Sequence, residues 1–346
     1  MTTLLEARYR AVLRLLPASY RRVREEEMVD TYLGELDTGA QEQARPTVGE
    51  VASIAALAVR VRLGAPDAER PYAVLGRAAR HFALFALLLL AASSLADRVL
   101  SVTWATGGGH AERQMFLTGF TGQGPVRTAA AVAEWVLPLL WTAGYAALVR
   151  DRRRLARTCV LLAALPTLWP LLAPLGDAWA PDASAYTWTT ALFAWLTALA
   201  LCAAYHHDAP SATLPSALPA GRPGLVFAAC CVAMGAAVTT LPEAADGVWA
   251  PASVFVLGSL GWLLLRARRP DRHAEEDGGT ALALAALGLV LLALRLSMLD
   301  FWLAVPLPSL TLGSVLAQAV ALALMTAALT AVGFRGAAGR RRLAGR

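Results

Sequence analysis

Eight apolar blocks, each close to 20 residues long, constrain this chain more than any other feature. A helix rising about 1.5 Å per residue needs about 20 residues to cross a hydrocarbon core of about 30 Å. The blocks fall at 81–103, 128–149, 155–175, 186–205, 224–240, 248–265, 280–302 and 311–334. Inside lipid every backbone N–H and C=O must be satisfied within the segment, so such blocks become helices. The expectation is an all-α polytopic membrane protein, with about eight transmembrane helices arranged as four hairpins. Composition agrees, since only 16% of residues are charged, against about 25% in soluble domains.

Arginine orients the spans. The chain has no lysine, and alanine is abundant, which reads as the codon bias of a GC-rich bacterial genome. The segments after spans two, four and six carry Arg150, Arg152, Arg153, Arg154 and Arg157, then Arg222, then Arg266, Arg268, Arg269 and Arg272. The tail, 336–346, adds Arg340, Arg341, Arg342 and Arg346. The opposite loops offer Arg113 and Arg127, together with Asp177, Asp182, Glu243 and Asp246. The positive-inside rule therefore predicts both termini in the cytoplasm of a bacterial cell, with the spans in its inner membrane. The formal charge of +6 is mostly a topology signal and an attraction to anionic headgroups, so the lipid bilayer is an expected partner and nucleic acid is not. Residues 1–16 do not read as a secretory leader, because Glu6, Arg8, Arg10 and Arg14 interrupt any apolar core.

The first 76 residues read as a helical cytoplasmic domain and linker. Leu5, Tyr9, Val12, Leu13 and Leu16 recur at helical spacing, and Pro17 ends that helix. Ser19 is the expected N-cap of a second helix, whose apolar positions are Val29, Tyr32, Leu33 and Leu36. Thr47 and Glu50 have the spacing of a capping box for a third helix, which buries Val51, Ile54, Leu57, Ala58 and Val61. Gly64 and Pro66 close it. On the second helix Arg21, Arg22, Glu25 and Glu26 take the non-apolar positions. They read equally as a solvated face and as the surface on which a cytoplasmic protein partner docks, with residues 1–65 as the docking unit.

"LRLLPASYRRVREEEMVDTYL", followed by "RPTVGEVASIAALAVRVRLG" and a membrane domain, resembles the small helical signalling or permease-prefix domains at the front of bacterial polytopic membrane proteins. Leu16-Pro17, Tyr20-Arg21 and Glu27-Met28 carry the resemblance; the tryptophan often found after the proline is absent. Genes of that group often neighbour a PadR-like transcription regulator. The resemblance implies a role in membrane-linked signalling and names no partner.

Catalytic signatures are absent: there is no HExxH, P-loop or GxSxG. No cofactor or metal is expected. Cys159, Cys202, Cys230 and Cys231 fall inside spans and read as small packing residues. "HHD" at 206–208 lacks further ligands, and "GGGH" at 107–110 and "GFTGQG" at 119–124 read as a flexible loop. Ionisable groups within spans are the candidates for function. Asp97, Glu134 and Arg295 all lie about 23 Å from the arginine-rich ends of their helices, with Arg98 beside Asp97 and Gln318 at the same level. Two acids and two arginines at one depth make a charge-neutral network around a ligand, or a lock between helices. The lock is the stronger reading, because headgroups are within snorkelling reach. Pro166, Pro170 and Pro174 should kink or break span three. Trp169, Trp179, Trp188, Trp249 and Trp302 are candidates for an aromatic belt.

The function expected from these features is a non-enzymatic membrane sensor or regulator, and the alternative is a permease component using the polar cluster. Single-cysteine labelling at Ala40, Asp151, His273 and the C-terminus should report cytoplasm, while Gly108 and Asp182 should report the outside. An external C-terminus would refute the eight-span arrangement.

Overall fold

The computed structural model describes residues 4–34, 45–63, 70–121, 124–176, 184–206, 209, 222–241, 247–268, 274–299, 303 and 309–338. All of its regular elements are helical. They run α1 (Leu4–Leu13), α2 (Ala18–Gly34), α3 (Val48–Arg62), α4 (Arg70–Gly107), α5 (His110–Thr118), α6 (Pro125–Val136), α7 (Leu140–Val149), α8 (Arg153–Ala164) and α9 (Trp169–Gly176). There follow α10 (Ala185–Ala204), α11 (Pro223–Thr240), α12 (Trp249–Ala267), α13 (Ala274–Ser297) and α14 (Ser309–Ala338). Eight stretches are long and apolar enough to cross a membrane, one in each block picked out from the sequence.

The first of them is the longest helix. α4 has 38 residues, about 57 Å of helix, so it starts inside the expected linker and runs past residue 103. From Tyr72 to Thr106 only Gly76 weakens it, and the glycines at 107 to 109 end it. A hydropathy window registers the apolar middle of such a helix and misses its polar ends.

α4 is also the helix on which the others converge. Phe82, Ala86, Leu89, Ala92 and Ala96 lie on one stripe and enter a core shared with α12, α13 and α14. Ala83, Leu84, Leu87, Leu88 and Ala91 lie on a second stripe and enter a core shared with α7, α8 and α10. Small side chains let backbones approach. The same device brings α13 against α14, where a Cβ at Gly333 would meet Leu282 Cδ2 at 2.7 Å. At Gly288 a Cβ would meet Phe255 Cζ at 2.9 Å and run into Thr326 Oγ1. α11 is peripheral, with Met234 its one buried residue.

The spans over 125–149 and 153–172 are both interrupted. A 3-10 turn at Leu137–Leu139 separates α6 from α7, and another at Leu165–Leu168 separates α8 from α9. The second break falls at Pro166, as the proline spacing predicts. The first falls at Pro138, which the sequence reading passed over.

α1, α2 and α3 share a small core of Tyr9, Leu13, Leu16, Val29, Ile54 and Ala58. α3 touches both α4 and α10. Both bonds of the Thr47–Glu50 capping box form, at 2.7 and 3.2 Å. Ser19 is not a cap. α2 starts at Ala18, and Arg21 N–H donates to the Pro17 carbonyl at 3.0 Å. Proline has no N–H to satisfy and a φ already suited to a helix start, so the helix opens directly after it. Leu36, Gly64 and Pro66 lie outside the described residues. The glycine-rich loop is not all loop, because between its glycines "HAERQMFLT" is rich in helix formers and folds as α5.

Gly288→Val should cost about 1–3 kcal/mol through overpacking. Gly235 has nothing within 4 Å of a built Cβ, so Gly235→Val should change thermal unfolding in detergent little. Equal losses in the two variants would show that the close approach at Gly288 is unimportant.

Candidate functional site

Pro138 places a constraint on its surroundings. In a continuous helix the N–H of residue 138 donates to the carbonyl of Glu134, and a proline cannot do so. Within hydrocarbon that carbonyl needs another donor. Arg98 supplies it, from across the helix interface: its Nη2 donates to the Glu134 carbonyl at 3.1 Å. The breaks in the neighbouring span are closed locally. The carbonyl freed by Pro166, that of Leu162, accepts from Leu165 N–H, and the carbonyl freed by Pro170, that of Pro166, accepts from Trp169 N–H. Of these three breaks, the one at Pro138 alone recruits a charged side chain.

The same arginine is packed on an aromatic ring. Its Cζ lies 5.7 Å from the centroid of Trp135. Trp135 sits edge-on to Phe116 of α5 at 6.3 Å and to Phe120 at 6.2 Å. A cation over an indole face is worth about 0.5–2 kcal/mol, more as water is excluded. Hydrogen bond and ring together fix the guanidinium in place, while its buried Nε has no acceptor.

Two partly open cavities meet at this arginine. One of about 270 Å³ reaches into the bundle, and one of about 430 Å³ lies beside α11; Ser93, Asp97, Arg98, Gly247 and Pro251 line both. Pro138 and Pro166 both stand on the wall of the first, so the two helix breaks face one space. Leu89, Trp141, Phe193 and Leu291 give it an apolar share of its lining, Ser94, Thr167 and Tyr186 a polar one, and Thr190 adds a hydroxyl whose buried oxygen has no partner.

The five residues expected at one depth are distributed as follows. Asp97 and Glu134 have exposed side chains, and Arg98 is within electrostatic reach of both carboxylates. Arg295 is fully buried at 0% exposure, so it neither faces lipid nor snorkels to the headgroups. Gln318 belongs to a different corner, donating to the Trp249 carbonyl at 2.9 Å and to Ser253 Oγ at 2.8 Å. Asp97, Arg98 and the backbone of Glu134 therefore form one group, and Gln318 is a tie between α12 and α14. Sequence reasoning missed Pro138, Trp135, Phe116 and Phe120. The signal was present: a proline four residues after Glu134 in an otherwise apolar span. Of the expected belt, Trp169 and Trp188 are exposed, whereas Trp249 Nε1 donates to Ser314 at 3.0 Å; Trp179 and Trp302 lie outside the described residues.

At the N-terminal helices the charges turn partly inward. Arg10 of α1 donates to Glu26 through Nη1 and Nη2 at 2.9 and 2.8 Å, and to Glu6 through Nε at 3.0 Å. Its guanidinium holds the Glu26 carboxyl below the usual carboxylate range. Glu25 lies 3.6 Å from Arg10, and Arg21 lies 3.9 Å from Glu25. Tyr9 stacks on Tyr32 with centroids 4.0 Å apart. Glu25 and Glu26 are thus engaged in joining α2 to α1, while Arg22 and Val23 stay on the exposed side. Among the described residues no group of three His, Cys, Asp or Glu side chains is arranged to hold a metal, and His207 and Asp208 of the HHD motif lie outside them.

No protein-family model, curated protein or solved structure matches the chain.

Arg98→Gln should destabilise the protein by about 1–3 kcal/mol, the cost of leaving the Glu134 carbonyl without a donor in hydrocarbon. In a Pro138→Ala background, where residue 138 regains its N–H, the same change should cost much less. Thermal unfolding of the four proteins in detergent gives the coupling. Equal costs in both backgrounds would dissociate Arg98 from the helix break.

Proposed function

We propose that the protein is a non-enzymatic membrane sensor or regulator, with its site in the arginine-poor half of the membrane and its output at the N-terminal helices. In this reading it sits in a bacterial inner membrane with both termini cytoplasmic and its spans paired as four hairpins. Residues 1–65 form a three-helix domain that contacts a cytoplasmic protein. The observation that carries it is the continuity of α4, a single helix from Arg70 to Gly107. It is touched by α3, and in its far half it holds Asp97 and Arg98 at the cavities. A rigid element shared by two sites is the physical requirement for one to bias the other. The resemblance of residues 1–65 to signalling and permease-prefix domains points the same way.

A permease component is the second reading, favoured by the helix breaks at Pro138 and Pro166 on one cavity wall. Broken spans beside a polar cavity are a recurring feature of transporter sites.

The two separate under genetics. Deleting residues 1–63 and substituting Asp97→Asn in the full chain should alter the same transcripts, each by at least about twofold, if the site reports to the N-terminal helices. If the deletion leaves the profile untouched while Asp97→Asn abolishes a solute-dependent phenotype, the permease reading replaces the sensor.

A further inference from the structure

The chemistry around Arg98 selects a class of ligand. The guanidinium is held by the Glu134 carbonyl and the Trp135 ring, so its position is set before anything binds. Its buried Nε and the buried Thr190 Oγ1 are both donors without acceptors, and both residues line the cavity of about 270 Å³. Those donors call for an anionic or strongly accepting group. Asp97 lies on the same rim and demands the opposite, a cationic donor. A simple anion would be set against the Asp97 carboxylate, and a simple cation against Arg98. In a site partly shielded from water such like-charge placements are costly. A molecule carrying both charges satisfies both residues. Leu89, Trp141, Phe193 and Leu291 also line the cavity and favour an apolar group beside its polar residues. The volume is at the small end of ligand pockets, so it takes a small molecule or one end of a larger one.

We propose that this cavity binds a zwitterionic amphiphile, with its anionic group on Arg98 and Thr190, its ammonium on Asp97, and its apolar part toward Trp141 and Phe193. The inference rests on the reading of the cavity as the input site and names what enters it. Two sources share this chemistry: the headgroup and first carbons of a zwitterionic phospholipid, and a soluble amino acid with an apolar side chain.

The test uses the full chain in detergent, with quenching of tryptophan fluorescence and native mass spectrometry as readouts. The probes are dihexanoyl-phosphatidylethanolamine, dihexanoyl-phosphatidylglycerol and leucine. At least one zwitterion should bind about tenfold or more tightly than the phosphatidylglycerol. Asp97→Asn should remove that preference without weakening the anion, and Thr190→Val should weaken the zwitterion. Binding of the phosphatidylethanolamine alone assigns the lipid source, and binding of leucine alone assigns the soluble one. Arg98→Gln risks the fold, so Asp97→Asn and Arg98→Lys carry the test. Equal binding of zwitterion and anion, or indifference to Asp97→Asn, overturns the proposal. Hydrogen exchange at α1 to α3 separates it from the sensor reading. Selective binding that leaves their exchange unchanged supports the ligand and refutes the sensor. Failure of binding, with the shared transcript response intact, does the reverse.

Discussion

Helices in hydrocarbon gain little from hiding apolar side chains, since lipid tails are as apolar as leucine; their association rests on close packing and on polar contacts between them. In this protein that packing converges on α4. Its alanines on two faces let α13 approach on one side and α7 and α10 on the other, joining the two membrane cores. Side-chain hydrogen bonds fasten the neighbours to its backbone: Tyr205 OH donates to the Arg80 carbonyl at 3.2 Å, and Thr142 Oγ1 to that of Ala91 at 3.3 Å. Without an unbroken α4 neither core has its central wall, and the cavities lose the lining that Asp97 and Arg98 supply.

The second constraint is backbone satisfaction. A proline inside a span leaves a carbonyl that lipid cannot serve. Three prolines in 153–176 are accommodated within a 3-10 turn and a short helix, so the segment absorbs its own irregularity. Pro138 is treated differently, and a guanidinium from α4 meets the Glu134 carbonyl. The charge in the candidate site thus has a structural reason to be there. It is at the same time a fixed cation on a cavity wall.

Much of this architecture is legible in the residues. The eight spans follow from length and hydropathy, because the bilayer core imposes one number on every helix that crosses it. The Thr47–Glu50 cap and the break at Pro166 follow from local chemistry that has few alternatives. Counting along the helices also set Arg98 opposite Glu134, and a hydrogen bond joins them. Azimuth was not legible. Arg295 and Gln318 were expected at their level too, yet which way each side chain faces depends on how α13 and α14 rotate against their neighbours, and rotation is a tertiary property. The N-terminal helices show the same divide. The apolar spacing of Leu5, Tyr9, Leu13 and Leu16 announced a core, whereas nothing local to α2 says that Glu26 will reach Arg10 rather than water.

The length of α4 has a mechanical consequence. A rod of about 57 Å pivoting where it crosses the middle of a core about 30 Å thick acts as a lever with both arms reaching beyond the lipid. Tilting it by only about 5° sweeps each tip sideways by roughly 2.5 Å, given half-lengths of about 28 Å. Such a displacement approaches the length of a hydrogen bond. An angular change too small to disturb ridges and grooves near the fulcrum is therefore large enough, at the tips, to exchange one set of polar contacts for another.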